Sequence, residues 1–199
     1  GIKLNDLGEA FELNFFSLDF GLQIDSAKFK NVLGDPFELQ ILMEVGTATG
    51  GEAFLPQPVV GIVDRGGNTI QAIEEGTLTV AICLPEDGFG CDEHPGGQLL
   101  TTSLSSAYTV DIVEGKGVFS GIAIDKMGYP YQLIFTTTFS GIAVKKIVTN
   151  RFTVGAGRAV RVLVESAIAG ARGGIPFSTQ PKISVRDAGG NIVTENALV

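Results

Sequence analysis

Short apolar runs that alternate with polar residues every second position dominate the chain. Tyr131-Gln-Leu-Ile-Phe-Thr and Val160-Arg-Val-Leu-Val-Glu keep this alternation clearly, as a strand with one buried face does. Runs at 58–63, 77–82, 108–113, 118–124, 131–139 and 160–165 are rich in Val, Ile, Thr, Tyr and Phe, with Gly, Pro, Asn and Asp between them. No stretch sustains a helical period over ten residues. The pattern predicts an all-β protein.

The same pattern recurs along the chain. Gly50–Ile70 returns as Gly173–Val193, with Phe54 and Phe177, and Asp64 and Asp187, each 123 residues apart. Phe29 matches Phe152, Gly34 matches Gly157, and Phe37, Leu39 and Ile41 match Val160, Val162 and Val164 at that spacing. Gly8-Glu-Ala-Phe-Glu-Leu-Asn-Phe15 parallels Gly128-Tyr-Pro-Tyr-Gln-Leu-Ile-Phe135, 120 residues on, and Gly21-Leu-Gln-Ile parallels Gly141-Ile-Ala-Val. Internal repetition of this kind sets the organisation of a fold. Residues 1–28 are expected to be the terminal strands of one unit, 29–151 a complete unit, and 152–199 the first strands of a third. About seven to nine strands in roughly 120 residues is the count of an immunoglobulin-like β-sandwich.

Gly61-Ile-Val-Asp-Arg-Gly-Gly-Asn68, the run from Gly117 to Leu133, and Asn150-Arg-Phe-Thr-Val154 together resemble the bacterial-type immunoglobulin-like repeats. That family occurs in tandem in long surface and secreted proteins. The resemblance implies a fold and an extracellular or cell-surface setting, and it carries no catalytic residues.

Two partial units have a consequence for packing, because an isolated strand pair cannot hide its apolar face. Phe11, Leu13, Phe15, Phe20 and Leu22 at one end, and Val160, Val162, Val164, Phe177, Ile183 and Val185 at the other, need cover. The leading expectation is a structural subunit of an extracellular filament or appendage. Copies would join head to tail into a linear or helical homopolymer, with the N-terminal strands donated to the incomplete C-terminal unit of the next copy. Strand donation in bacterial pili is an analogy of that mechanism. The alternatives are a stalk or ligand-binding segment of a cell-surface adhesin, with glycans as candidate partners, and ends that fold back within one chain. Comparing copies adds a surface expectation. Val59, Val63 and Leu42 stand where the C-terminal copy has Lys182, Arg186 and Glu165, which points to Val59, Val63 and Leu42 as contact positions.

Composition narrows function by exclusion. The chain is 44% hydrophobic and 18% charged with a net charge of -8. Clustered cations for nucleic acid are lacking, and no apolar run reaches the ~20 residues of a membrane helix. Cys83 and Cys91 flank a Gly- and Pro-bearing turn and are expected to form a disulfide, which favours an oxidising compartment. The chain opens at Gly1 rather than Met, which reads as a processed chain or a fragment. Asp87, Asp92 and Glu93 near His94 are weak candidates for a cation site, and a solvated loop is the competing reading. Asp64-Arg-Gly-Gly-Asn68 and Asp187-Ala-Gly-Gly-Asn191 read as repeated hairpin turns. No nucleophile motif or dinucleotide fingerprint occurs, so neither enzyme activity nor a cofactor is expected.

Overall fold

The computed structural model describes residues 1–83, 99–100, 104–105, 107–143 and 145–194. Strands and turns, with no helix, make up these described residues.

Two sheets enclose the apolar core. The larger contains β9 (Thr77–Ile82), β12 (Ala107–Asp111), β16 (Leu133–Thr137) and β17 (Lys146–Val148), in the order β12-β9-β16-β17. The smaller has β13 (Lys116–Val118), β8 (Val59–Val63) and β5 (Glu38–Met43), in that order. Alternation decides which side chains enter. Leu78, Val80 and Ile82 of β9 are buried, while Thr79 bonds Thr109 across the outer face at 2.8 Å. From the smaller sheet Leu39, Val60 and Ile62 join the same core, and Phe119 stands 5.3 Å from Phe135 by ring centroids. Each such aliphatic or aromatic residue, fully buried, contributes about 1.5–3 kcal/mol. The β12–β13 connection is a two-residue turn at Glu114 and Gly115, both at positive φ, the conformation that matches strand twist.

Two predicted strands are broken. The run 118–124 divides into β13 and β14 (Ala123–Ile124). Between them the Gln57 side chain brackets Ile122, donating to its carbonyl at 3.0 Å and accepting from its N–H at 3.1 Å. The Ile122 carbonyl also accepts from the Phe54 N–H at 3.0 Å, so a side-chain amide and a main-chain bond together hold the break. The run 131–139 switches partners at Gln132. Upstream, β15 (Gly128–Tyr131) pairs with β18 (Phe152–Val154); downstream, β16 pairs with β9 and β17.

β10 (Leu99–Leu100) pairs with β11 (Leu104–Ser105) and with β14, and six further strands repeat pairings of the middle of the chain. β1 (Gly8–Phe11) pairs with β4 (Phe29–Asn31), Gly8 opposite Asn31 and Phe11 opposite Phe29. In β15–β18 Gly128 stands opposite Val154 and Tyr131 opposite Phe152. β2 (Asn14–Ser17) and β3 (Leu22–Asp25) pair as β16 and β17 do, with Phe15 opposite Ile24 and Phe135 opposite Ile147. β19 (Arg161–Ser166) and β20 (Lys182–Arg186) pair as β5 and β8 do. Even the register shift is shared, falling between Val164 and Ser166 in one and Ile41 and Met43 in the other.

These registers also correct one alignment. Leu22–Asp25 corresponds to residues 145–148, not to Gly141-Ile-Ala-Val. The three extra residues lie in the hairpin connection itself. They lengthen it enough to carry Phe139 and Ile142 into the core, where both are buried.

Candidate functional site: two bare faces and two buried joints

Equivalent strand positions have opposite surroundings. Phe135 is fully buried, and Phe15, its counterpart in β2, is 47% exposed. Val60 is fully buried, and Ile183, its counterpart in β20, is 64% exposed. Val162, Val164 and Val185 are likewise exposed, as are Val160 just before β19 and Phe20 and Leu22 at the β2–β3 hairpin. Phe11 and Leu13 are half-buried. Phe11 lies 6.2 Å from Phe29, the same separation as its counterparts Tyr131 and Phe152.

Val63 has 1% of its surface exposed and is covered within the chain itself. Val59 is half-buried, and Leu42 lies over Gly61, whose missing side chain leaves it room. On the matching outer face of β19–β20, Glu165 instead pairs with Arg186 and accepts from Ser184. The guanidinium is the main cause holding the Glu165 carboxyl below its ordinary value.

The two Asp-x-Gly-Gly-Asn turns are more than turns. Asp64 Oδ1 accepts from the Gly66 and Asn68 N–H groups at 2.8 and 2.9 Å, and Oδ2 accepts from the Gly34 N–H at 3.0 Å. The Asn68 amide reaches the same carboxylate and also donates to the Asn5 carbonyl at 2.8 Å. Asp187 repeats this arrangement. It accepts from Gly157 N–H and Asn191 N–H, each at 2.8 Å, while the Asn191 amide donates to the Asp125 carbonyl at 2.7 Å. Asn5 and Asp125 are 120 residues apart and the two turns are 123 apart. Each turn thus ties itself to the chain before β1 or before β15.

The second joint is the more enclosed. Asn191 Oδ1 also accepts from the Met127 N–H at 3.0 Å, and Lys126 Nζ donates to the Gly189 carbonyl at 2.9 Å. The connection between β6 (Thr47–Thr49) and β7 (Glu52–Leu55) closes over it, with Gly189 N–H donating to the Gly50 carbonyl at 3.3 Å. A Cβ on Gly51 would stand 2.2 Å from the Gly189 nitrogen, so backbone meets backbone here. Asp187 is fully buried and Asp64 is 4% exposed.

Burial raises the carboxyl pKa at both turns, and the converging donors outweigh it. At Asp64 these are Gly34, Asn68 and Gly66; at Asp187 they are the Asn191 amide and the N–H groups of Gly157, Asn191 and Gly189. The net shift is downward in both, as for any carboxylate accepting several N–H bonds. Gly34, Gly157, Asn5 and Asp125 were not singled out as joint residues from sequence, although both repeat spacings already aligned them.

Cys83 is buried at the end of β9. Its expected partner Cys91, and the cation candidates Asp87, Asp92 and Glu93, lie outside the described residues. Among the described residues no three His, Cys, Asp or Glu side chains gather as a metal-binding group, and no helix is long and apolar enough to cross a membrane. No protein-family model matches the chain, and no curated protein matches it significantly.

Proposed function

We propose that this chain is a structural, load-bearing segment of an extracellular fibre or stalk, built of immunoglobulin-like β-sandwich units in tandem. The observation that carries this reading is the twofold occurrence of one joint. β1–β4 and β15–β18 each span the boundary of a repeat in the same register. Asp64–Asn68 and Asp187–Asn191 each clamp the preceding segment by the same bonds. A boundary made of strand pairing and side-chain-to-backbone hydrogen bonds transmits force and fixes orientation, unlike a flexible linker. No catalytic group takes part in this function, and the extracellular setting rests on the expected Cys83–Cys91 disulfide.

A direct test is to finish the third unit. Val193 bonds Val185 as Ile70 bonds Ile62, so residues 71–151 can be spliced after Val193. The extended chain gains a second cooperative unfolding transition, and the amides of β19 and β20 become protected from exchange. An extension that stays unfolded overturns the tandem reading.

The two bare faces favour a second reading, head-to-tail assembly by strand complementation between copies. Docked together, residues 1–28 and 152–194 of two copies still lack counterparts of β9, β12 and β13, so such a joint would be thinner than the middle unit. Negative-stain electron microscopy over a concentration series decides. Regular filaments that disappear on deleting residues 1–25 establish it, and monomers at all concentrations exclude it.

A further inference from the structure

The middle of the molecule supplies a template for the edge that its N-terminal hairpin leaves unpaired among the described residues. In β16 one edge is held by β17 and the other by β9, with Ile134 opposite Ala81, Phe135 opposite Val80 and Thr136 opposite Thr79. Its counterpart β2 is held by β3 alone among the described residues. The Ser26 N–H donates to the Leu13 carbonyl at 2.8 Å, as Thr149 N–H does to Leu133 at 2.9 Å. The Leu13 N–H donates to the Ser26 hydroxyl at 2.9 Å, as Leu133 does to Thr149. Antiparallel backbones alternate sides, so the N–H and C=O groups of Asn14 and Phe16 face the open edge. Phe15 meanwhile presents its ring to the side where Phe135 meets Phe119 in the middle unit.

We propose that the open edge of β2 is a strand-acceptor site. Its ligand is an extended polypeptide segment with β9's chemistry, carrying aliphatic side chains at alternate positions with threonine between them. The register is set by the template. Phe15 faces a valine in the place of Val80, Phe16 faces a threonine in the place of Thr79, and Ser17 faces a leucine in the place of Leu78. Main-chain bonds to Asn14 and Phe16 provide affinity, and the alternate aliphatics cover Phe15. The β9 of another copy does not serve, since it is already central in its own sheet. The site deepens the tandem-unit reading and depends on it.

The test uses the full chain and a synthetic peptide of residues 75–82, Glu-Gly-Thr-Leu-Thr-Val-Ala-Ile. Amide exchange is followed residue by residue during titration. Saturable binding is expected, with Asn14 and Phe16 amides slowed by about tenfold or more and the Phe15 amide, already bonded to β3, changing least. Phe16→Pro removes one of the two open-edge donors and is expected to abolish the effect. Phe15→Ser, which leaves the backbone intact, weakens it.

A peptide with serine at both the Leu78 and Val80 positions does not bind. No protection, or protection without alternation, overturns the proposal. So does peptide-independent protection that grows with protein concentration, which assigns the edge to a second copy. The splice at Val193 probes the opposite end of the chain. Its success beside a failed titration would reject the acceptor site and leave the tandem reading standing.

Discussion

β5–β8 and β19–β20 are two versions of one strand pair. Registers agree to the position of the shift, and the turns that follow them carry the same carboxylate network. Yet Val60 is sealed in a core while Ile183 lies open. Pairing is therefore encoded locally, by alternation and by the turn. Burial is supplied from elsewhere in the chain, by β9, β12 and β13. The outer faces diverge as well, since Lys182, Arg186 and Glu165 take the places of Val59, Val63 and Leu42.

The sharpest way to break this comparison is a charge placed at the shared inward position. Val60→Asp buries an unpaired carboxylate and is expected to cost more than about 4 kcal/mol by denaturant unfolding. Ile183→Asp stays within about 0.5 kcal/mol, as surface changes do. A large loss from Ile183→Asp would mean that the C-terminal face is covered in solution.

The joints come next. Asp64→Ala strands the N–H groups of Gly34, Gly66 and Asn68, for an expected loss of about 3 kcal/mol. Asp187→Ala acts locally, releasing residues 155–194 in hydrogen exchange while the middle core holds. Both carboxyls are held below their ordinary value, so their contribution is complete above the unfolded-state pKa, about 3.9. It is lost as pH falls through the lower folded value. Stability measured from pH 7 downward should stay level in this respect to about pH 4 and decline below it, and Asp64→Ala should flatten that decline.

Smaller effects separate the joints from each other. Asn191→Ala removes bonds to Asp125 and Met127 at a buried site and is expected to cost about 2 kcal/mol. Asn68→Ala, at a half-buried site, costs about 1 kcal/mol. Exchange rates at residues 125–127 and at 5–7 read the two separately. Gly67 and Gly190 both sit at positive φ, and alanine at either should cost about 1 kcal/mol. Unequal costs there would show that the two turns, alike in geometry, carry different strain.

Much of the fold was legible because alternation and turn residues act over short distances. The all-β class, the strands β8, β9, β12, β16 and β19, and both repeat spacings followed from them. The split at Ser120–Gly121 did not, because Gln57 imposes it from 65 residues away. The joints were half legible. Asp, Gly and Asn announce a tight turn by their own chemistry, whereas a bond from Asn68 to the Asn5 carbonyl has no side-chain signature on the accepting strand. The burial of Val63 was hidden for the same reason, since an outward strand position says nothing about what lies above it.

The Asn68 and Asn191 amides each donate to a main-chain carbonyl of the preceding segment, at Asn5 and at Asp125. A carbonyl is the same whatever residue bears it, so the preceding segment contributes geometry and almost no sequence to the match. Only the following segment must keep particular residues: one aspartate, one asparagine and a few glycines. Segments so joined are interchangeable parts. Under the tandem reading proposed above, duplication or reshuffling of whole repeats would keep these bonds, leaving outer positions such as Val59 or Lys182 free to diversify from one repeat to the next.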